Sequence, residues 1–476
     1  MATQGLYRLS KFQQIDRCLF MISKVNGLTD ILLNKFVFNS VVELPFREVV
    51  VQKIKTFVRR RIFIRLWVQY VSNKLIPLDE KSKRDNCIRM LVLNHHRFGP
   101  DLNVLKGHPE VHLIALPFQY QAFLNSFSVN RTAKEGSNGN FEECGFDTKA
   151  SSYLYHFLPA FVKKNKIDCI ISCAFYYIPD LGWQDASRRT NVPFFVLQKE
   201  ITVDEGNRGL IVKRWREYPV FRGKKILVNT RNGKDVFIEA GVCESRDIVV
   251  TGHLKIDSLY KRAKGINKSQ TKKQIVLFSF LPAMVAGLNT MLQLEGSYER
   301  YNRYQGFSKL FEQVHGALAE IADKNPNIIV VIKCKWLGKW EELVNEVILA
   351  ESSLHVSKIP NLIVTNGPAQ KYIEESMVVI SFSSTSTIES RLYGRSVIVP
   401  FFAEAAGKYK CYVYFRKYFE EFVLATSKED LKAKVLQHIE NEIPPPPLSD
   451  EMIKEYVTYF DGKTVDRVVK EIKKAL

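Results

Sequence analysis

The chain has 476 residues, of which 46% are hydrophobic and 25% charged, and its formal net charge is +19. This composition is typical of a soluble globular protein, and the length exceeds that of one ordinary core, so we expect two large domains and an appendage. No apolar stretch reaches the 18 residues of a membrane-spanning helix, and the charge indicates anionic partners: nucleic acid, an anionic membrane surface or phosphate-bearing substrates.

The cysteines and the N-terminus indicate the compartment. Eight cysteines are scattered along the chain without a CxxC pair or a histidine at metal-binding spacing. We therefore expect neither a disulfide framework nor a structural zinc, and a reducing compartment is favoured. The N-terminus has no compact apolar segment followed by a cleavage site. We expect a cytoplasmic protein, with peripheral attachment at the inner face of the plasma membrane as a further hypothesis.

Residues 1–85 form a basic region that we expect to be helical. Residues 1–76 hold 13 Lys or Arg against 4 Asp or Glu. Residues 49–75 predict one long basic helix in which arginines mix with aromatic and aliphatic side chains. Such a helix can lie on an anionic membrane surface. It can also dock on the first domain with its arginine face in solvent, and the sequence leaves both interpretations open.

From residue 86 short apolar runs alternate with amphipathic stretches. Apolar runs flanked by helices predict buried parallel strands in βαβ units. The runs of the first half are 90–93, 111–114, 169–171, 194–197, 226–228 and 248–250. We assign residues 86–262 to a first Rossmann-like domain. The polar, basic stretch 261–273 is poor in apolar anchors and predicts a linker.

The alternation restarts after the linker and predicts a second Rossmann-like domain at residues 273–445. Its apolar runs are 275–278, 328–332, 362–364, 377–381, 396–400 and 421–424. Four prolines at 444–447 end the preceding helix, and we expect residues 446–476 to form a C-terminal helix. The predicted fold class is α/β, with two Rossmann-like, doubly wound domains facing a cleft. Ligands of such sheets bind beyond the carboxyl ends of the strands.

The segment SFSSTSTIES at 381–390 is the strongest candidate site. A strand runs into a Ser/Thr turn, a helix begins near Thr385, and Ser383 or Ser384 can cap it. A capped helix N-terminus at a strand end is a ready anion site. Glu389 lies one turn into the helix, where its carboxylate can accept hydrogen bonds from the hydroxyls of a ribose. A nucleotide site and a merely capped helix with a surface carboxylate explain this spacing equally well.

Three stretches resemble the GT-B glycosyltransferases of bacterial capsule and surface-polysaccharide biosynthesis. They are ISFSSTSTIESRLYGRSVIVPF at 380–401, ILVNTRNGKDVFIEAGVCESRDIVVTGHLKID at 226–257 and VPFFVLQKE at 192–200. The resemblance extends over residues 88–440. It implies a GT-B fold whose first domain holds the acceptor and whose second binds the nucleotide-sugar donor. The acceptor would be a surface-polysaccharide or lipid-linked glycan.

The resemblance also implies which residues contact the donor. Ser383, Ser384, Thr385 and Ser386 would surround its phosphates, and Glu389 its ribose. Many relatives carry a Pro-His pair after the strand at 328–332, where this chain has Lys333-Cys334-Lys335-Trp336. Lys333 and Lys335 can still neutralise phosphates, although solvated lysines are the plainer interpretation. His253, in the Thr-Gly-His turn, would contact the donor phosphate or the acceptor, or it is a structural turn histidine.

A general base is expected on the first domain, across the cleft. The candidates are Glu200 and Asp204 in QKEITVDEG, His95 or His96 in NHHRFGP, and Asp101. We favour Glu200, with His95 and Asp204 as further catalytic candidates, although each is more often structural. His96 and Arg97 are candidates for binding an anionic group of the acceptor.

The leading hypothesis is therefore a GT-B glycosyltransferase. GT-B enzymes as a class need no bound metal, since helix dipoles and basic side chains stabilise the leaving phosphate. We expect no metal and no cofactor apart from the nucleotide-sugar substrate. The alternative on the same scaffold is a nucleotide-sugar epimerase or a glycerol-phosphate-type polymerase. A nucleic-acid-binding protein is less favoured, because the sequence has no nucleic-acid-binding signature.

Overall fold

The structure is a computed structural model that describes residues 61–79, 87–125, 152–199, 202–264 and 272–476. The described residues contain two separate β-sheets, one formed by the first half of the chain and one by the second. Residues 1–60 and 80–85 of the predicted N-terminal region lie outside the described residues, as do residue 86 and the favoured base Glu200.

The first sheet has seven strands in the order β1-β3-β2-β4-β5-β6-β7. Strands β2 to β7 pair in parallel, whereas the two-residue β1 pairs antiparallel with β3 at the edge. The strands are β1 Ile76–Pro77, β2 Ile88–Val92, β3 Val111–Ala115, β4 Cys169–Ser172, β5 Phe194–Leu197, β6 Lys225–Val228 and β7 Ile248–Val250.

The second sheet has six strands, all parallel, in the order β10-β9-β8-β11-β12-β13. The strands are β8 Lys272–Phe278, β9 Ile329–Lys333, β10 Leu362–Thr365, β11 Ser376–Ser381, β12 Ser396–Pro400 and β13 Val423–Ala425. Their apolar runs match those predicted from the sequence to within a few residues. Because β8 lies between β9 and β11, it separates the carboxyl ends of β9 and β11.

Helices connect the strands. In chain order they are α1 Arg61–Ser72, α2 Gly99–Lys106, α3 Phe118–Asn125, α4 Ser152–Asn165, α5 Ile178–Thr190, α6 Arg208–Trp215, α7 Arg231–Glu239, α8 Leu254–Lys264, α9 Ala286–Leu294, α10 Ser308–Lys324, α11 Lys339–Ser352, α12 Ala369–Glu375, α13 Thr385–Leu392, α14 Lys428–Glu440, α15 Asp450–Tyr456 and α16 Thr464–Ala475.

Both faces of the first sheet are covered, which explains why its strands are continuous apolar runs. Successive residues of β2 point to opposite faces, so Leu91 packs into the core that contains α4, and Met90 and Val92 pack into the core that contains α16. The second sheet is buried in a single large core. The predicted fold class, two doubly wound parallel sheets in a GT-B-like arrangement, is confirmed.

The C-terminal segment corrects one expectation. A single helix was predicted for residues 446–476, but the structure has two, α15 and α16, with a turn between them that includes Gly462 at φ 72°. Met452 of α15 packs into the core of the second sheet, whereas Val468 and Ile472 of α16 pack into that of the first. A straight helix cannot reach both cores, so the chain turns between them.

The described end of the N-terminal region is α1. Its apolar side, including Trp67 and Val71, is buried in the same core as Phe157 and Phe161 of α4, whereas Arg65 is exposed. This part of the predicted helix docks on the first sheet. No helix among the described residues is long and apolar enough to cross a membrane. Residues 49–60 lie outside the described residues, so contact of that stretch with a membrane surface stays a prediction.

Candidate functional site

The turn between β11 and α13 forms from hydroxyl side chains that are largely partnered within the turn. Ser384 is the N-cap of α13, and its Oγ accepts a hydrogen bond from the Ser386 amide at 3.3 Å. The Ser381 and Thr387 hydroxyls are hydrogen-bonded to each other at 2.8 Å, and Ser390 Oγ donates to the Ser386 carbonyl. Most of the hydroxyl-rich segment is therefore explained by capping and internal bonding.

Ser383 has a different task in the same turn. Its backbone is left-handed, at φ 45°, and its Oγ accepts a hydrogen bond from the Tyr414 amide at 3.1 Å. This bond joins the turn to the loop that follows β12. Thr385, the first residue of α13, instead lines a cavity with Glu389.

Glu389 is buried and pairs with a lysine from the other half of the chain. Lys255 Nζ lies 2.6 Å from Glu389 Oε1, and the two side chains are 15% and 8% exposed. Lys255 is the second residue of α8, which follows β7 of the first sheet. Lys255 was not among the site residues predicted from the sequence. Its one sequence signal was its place directly after the Thr-Gly-His turn, two residues beyond His253.

His253 is a neutral, buried imidazole beside this ion pair. Burial, together with the positive charges of Lys255 and Lys199, holds the pKa of His253 well below its usual value. Neither ring nitrogen has a hydrogen-bond partner among the described residues. Asp101, a base candidate, has its Oδ1 atom 3.8 Å from His253 Nδ1 and accepts the Lys255 amide at 3.2 Å. The imidazole therefore has an unused donor and an unused acceptor in a buried site.

A small cavity between the two sheets is lined by His253 and Glu389, whereas Lys255 and Asp101 are not part of its lining. It encloses about 20 Å³, room for about one water molecule. Its lining comes from both halves of the chain: Thr202, Asn229, His253, Ile256, Thr385, Ile388, Glu389, Phe415, Tyr456 and Val457. Of the predicted site residues, the structure brings His253, Thr385 and Glu389 together here, with Ser383, Ser384 and Ser386 in the adjoining turn.

Asp204 joins the two halves of the chain through Tyr456 and Phe415, which line the same cavity. Its Oδ2 accepts hydrogen bonds from the Tyr456 hydroxyl at 2.7 Å and the Phe415 amide at 2.9 Å, and its Oδ1 accepts the Gly206 amide at 3.2 Å. Burial, and next the charge of Asp204, raise the pKa of Tyr456, which keeps the phenol protonated as a donor. Three donors thus occupy the carboxylate, and its role as a base stays a prediction.

His95, His96 and Arg97 form a short 3-10 helix directly after β2 and do not line the cavity. Burial and the charge of Lys106 lower the pKa of His95, and burial followed by the charges of Arg97 and His95 lowers that of His96. The Arg97 guanidinium stacks 4.3 Å from the ring centre of Tyr177. Because the pKa of each histidine is lowered, both are neutral at pH 7. Their roles in catalysis and acceptor binding stay predictions.

A buried carboxyl group below this turn was missed by the sequence analysis. Asp180 is fully buried and accepts hydrogen bonds from Asn94 Nδ2 at 2.7 Å, Gln121 Nε2 at 2.6 Å and Ser172 Oγ at 3.0 Å. Burial outweighs these bonds and raises the pKa of Asp180 to about 7. The network fixes Asn94, whose left-handed backbone at φ 52° starts the 95–97 turn. Asp180 thus positions that turn.

Lys333 and Lys335 lie at the carboxyl end of β9, away from the cavity lining. Burial lowers the pKa of Lys333, and Lys335 lies 5.6 Å from the ring centre of Trp336. Because β8 separates β9 from β11, neither lysine is a neighbour of the turn before α13. Donor binding by these two residues stays a prediction. Within the described residues, no group of three His, Cys, Asp or Glu side chains is placed to hold a metal ion.

Comparisons with known proteins concern the fold. The chain matches no protein-family model, and a search of curated proteins finds no match. It is similar to the UDP-GlcNAc 2-epimerase from Neisseria meningitidis bound to UDP-GlcNAc, with 14% identity and a TM-score of 0.45 over 81% of this chain and 100% of that one. It is also similar to the UDP-GlcNAc 2-epimerase from Methanocaldococcus jannaschii, with 12% identity and a TM-score of 0.44 over 81% of this chain and 99% of that one.

These comparisons correct the expected activity. The similar structures are UDP-GlcNAc 2-epimerases, which are isomerases, so the predicted glycosyltransferase is wrong. The likeness is of the fold alone, because the identities are low and fold does not determine function. The chemistry of this chain must therefore be argued from its own residues.

The cavity provides three kinds of group that suit one class of ligand. The N-terminus of α13 favours a negative charge, such as a phosphate. The neutral His253 can donate a hydrogen bond to a phosphate oxygen without adding charge. Glu389 can accept hydrogen bonds from two neighbouring hydroxyls, as in a ribose.

Proposed function

We propose that the chain binds a nucleoside diphosphate sugar between its two sheets and epimerises the sugar. The observation that carries the proposal is the position of the unpartnered, neutral His253 in one cavity with Thr385 and Glu389. The helix end and the imidazole suit a diphosphate, and the carboxylate suits a ribose. Buried polar atoms are usually hydrogen-bonded, so two ring nitrogens without partners among the described residues favour a ligand at His253 over a structural role.

Epimerisation is preferred to the glycerol-phosphate alternative because the site is small and contacts join the two halves of the chain beside it. Two contacts join the halves of the chain, Lys255 with Glu389 and Asp204 with Tyr456. Glu389 and Tyr456 also line the cavity, which has room for about one water molecule. A sugar nucleotide is larger than this cavity, so its entry requires the two halves to move apart. A small site suits a reaction completed within one bound molecule, whereas a polymerase must admit a long acceptor.

The first test is ligand binding followed by product analysis. The purified protein is titrated with UDP, ADP, GDP and CDP, and then incubated in D₂O with sugar conjugates of the nucleotide that binds. We expect one diphosphate to bind, and the sugar to take up deuterium at one ring carbon while a second anomeric signal appears in the proton NMR spectrum. Uptake follows because inversion removes the hydrogen as a proton and replaces it from solvent.

Two outcomes would contradict the proposal. Binding of none of the four diphosphates would remove the nucleotide site, and release of CMP from CDP-glycerol without deuterium uptake would favour the polymerase alternative. The His253→Ala variant tests whether the imidazole contacts the nucleotide, and we expect it to lose nucleotide affinity. Glu200→Gln tests whether the base predicted from the sequence is needed, since it should remove deuterium uptake while nucleotide binding is retained.

A further inference from the structure

The ion pair between Lys255 and Glu389 occupies the group that a ribose would need. Lys255 Nζ is 2.6 Å from Glu389 Oε1, and both side chains are largely buried. Two neighbouring ribose hydroxyls bind a carboxylate best when each donates to its own oxygen. The ammonium group of Lys255 and a ribose therefore compete for the Glu389 carboxylate, which is paired with Lys255 in the structure.

Lys255 also lies near the N-terminus of α13, because its partner Glu389 is one turn into that helix. It is the second residue of α8, two residues beyond His253, and Glu389 lies on α13, whose first residue, Thr385, faces the same cavity. A lysine ammonium is a compact charge with three donors on a flexible stem, so it can change partners without movement of the backbone. A diphosphate at the N-terminus of α13 would bring more negative charge towards Lys255 than Glu389 alone carries.

We propose that Lys255 exchanges partners when a nucleotide binds: its ammonium group moves from Glu389 to the ligand's phosphate. The carboxylate of Glu389 then becomes available to the ribose. The exchange makes Lys255 a specificity-determining residue. A nucleoside without phosphates offers nothing to draw Lys255 away, so it meets an occupied carboxylate and binds poorly. The site thus requires phosphate before it accepts ribose. This inference rests on the proposed nucleotide site.

The test is a pair of titrations whose effects have opposite signs. UDP and uridine are titrated into the wild-type protein and the Lys255→Met variant, with binding followed by saturation-transfer NMR. We expect the variant to bind UDP about tenfold more weakly, the size of one charge-assisted hydrogen bond. We expect it to bind uridine several-fold more tightly, because Glu389 no longer has an internal partner. ADP, GDP or CDP with its nucleoside replaces this pair if the wild-type protein prefers another base.

Controls separate this exchange from damage to the fold. Lys261→Met removes an exposed lysine from the same helix and should change neither affinity. Thermal unfolding of both variants is measured in parallel. A Lys255→Met variant that binds UDP and uridine equally more weakly has a damaged site, and the exchange is then wrong. Unchanged affinity for UDP also overturns it. If the wild-type protein binds none of the four diphosphates, the proposed function fails together with this inference.

Discussion

The Tyr456 hydroxyl donates a hydrogen bond of 2.7 Å to Asp204 Oδ2 and so joins α15 to the loop that follows β5. The two residues pack with different sheets, and the Phe415 amide reaches the same oxygen atom at 2.9 Å. Asp204 is buried, so the carboxylate depends on these donors for its solvation. Their removal should weaken the contact between the two halves of the chain.

Tyr456→Phe should therefore lower the stability of the folded protein. We expect a loss of about 1–3 kcal/mol in the free energy of unfolding, since a buried carboxylate loses one of its donors. Urea denaturation followed by tryptophan fluorescence measures this loss. Tyr304→Phe is the matched control, because Tyr304 is 79% exposed and its change should leave stability nearly unaltered. Equal stability of the two variants would show that the Asp204 contact does not hold the halves together.

The buried carboxyl of Asp180 should make stability fall as the pH rises. The pKa of Asp180 is about 7 in the folded protein and near 3.8 in an unfolded chain, so the folded state holds the proton more tightly. The unfolded state binds fewer protons between those values, and its free energy relative to the folded state falls there by up to about 1.4 kcal/mol per pH unit. The contribution is complete below pH 3.8 and lost above pH 7.

The measurement is the difference between wild-type protein and Asp180→Asn in urea midpoints from pH 4 to pH 8. Asparagine cannot titrate, so the difference should change steadily across this range. Asp235→Asn, at an exposed position on α7, serves as the control and should give a flat difference. A flat difference for Asp180→Asn as well would mean that its pKa is not raised.

The buried His253 should have the opposite effect and make stability fall as the pH decreases. Its pKa is held well below 6.5, so the stability that it contributes is present above pH 6.5 and is lost as the pH falls towards the folded-state pKa. The stability difference between wild-type protein and His253→Gln should therefore change below pH 6.5 and be constant above it. The exposed His355→Gln supplies the baseline. A difference that is flat below pH 6.5 as well would place the pKa of His253 in its ordinary range.

The sequence predicts the strands well and the contacts between distant segments poorly. Four apolar residues in a row at 90–93 are enough to indicate a buried parallel strand, because both faces of such a sheet are covered. The Ser384 cap was also accessible, since it depends only on neighbouring residues. The break at Gly462 was not, because it follows from packing of α15 and α16 on different sheets.

The site shows the same division between local and distant information. Glu389 was singled out by its spacing from Thr385 within one helix. Its partner Lys255 comes from the other half of the chain, and no local pattern marks a lysine as the partner of a particular carboxylate. Asp180 was missed for the same reason, since its raised pKa depends on burial beneath residues from three separate segments. Local chemistry can therefore be read from the sequence, whereas charge pairing and desolvation require the fold.

Glu389 gives the last prediction, which concerns the ribose. A carboxylate that accepts hydrogen bonds from two ribose hydroxyls should distinguish a ribonucleotide from its 2′-deoxy form, because the deoxy ligand leaves one acceptor unused. We expect the wild-type protein to bind whichever ribonucleoside diphosphate it prefers about tenfold more tightly than the 2′-deoxy form of that diphosphate, the value of one hydrogen bond to a charged group. Glu389→Gln should reduce this ratio towards one, since a neutral amide offers a single acceptor oxygen. Glu342→Gln, an exposed change on α11, should keep it. If Glu389→Gln binds both nucleotides with the wild-type ratio, Glu389 does not contact the ribose, and its burial beside Lys255 serves only to join the two halves of the chain.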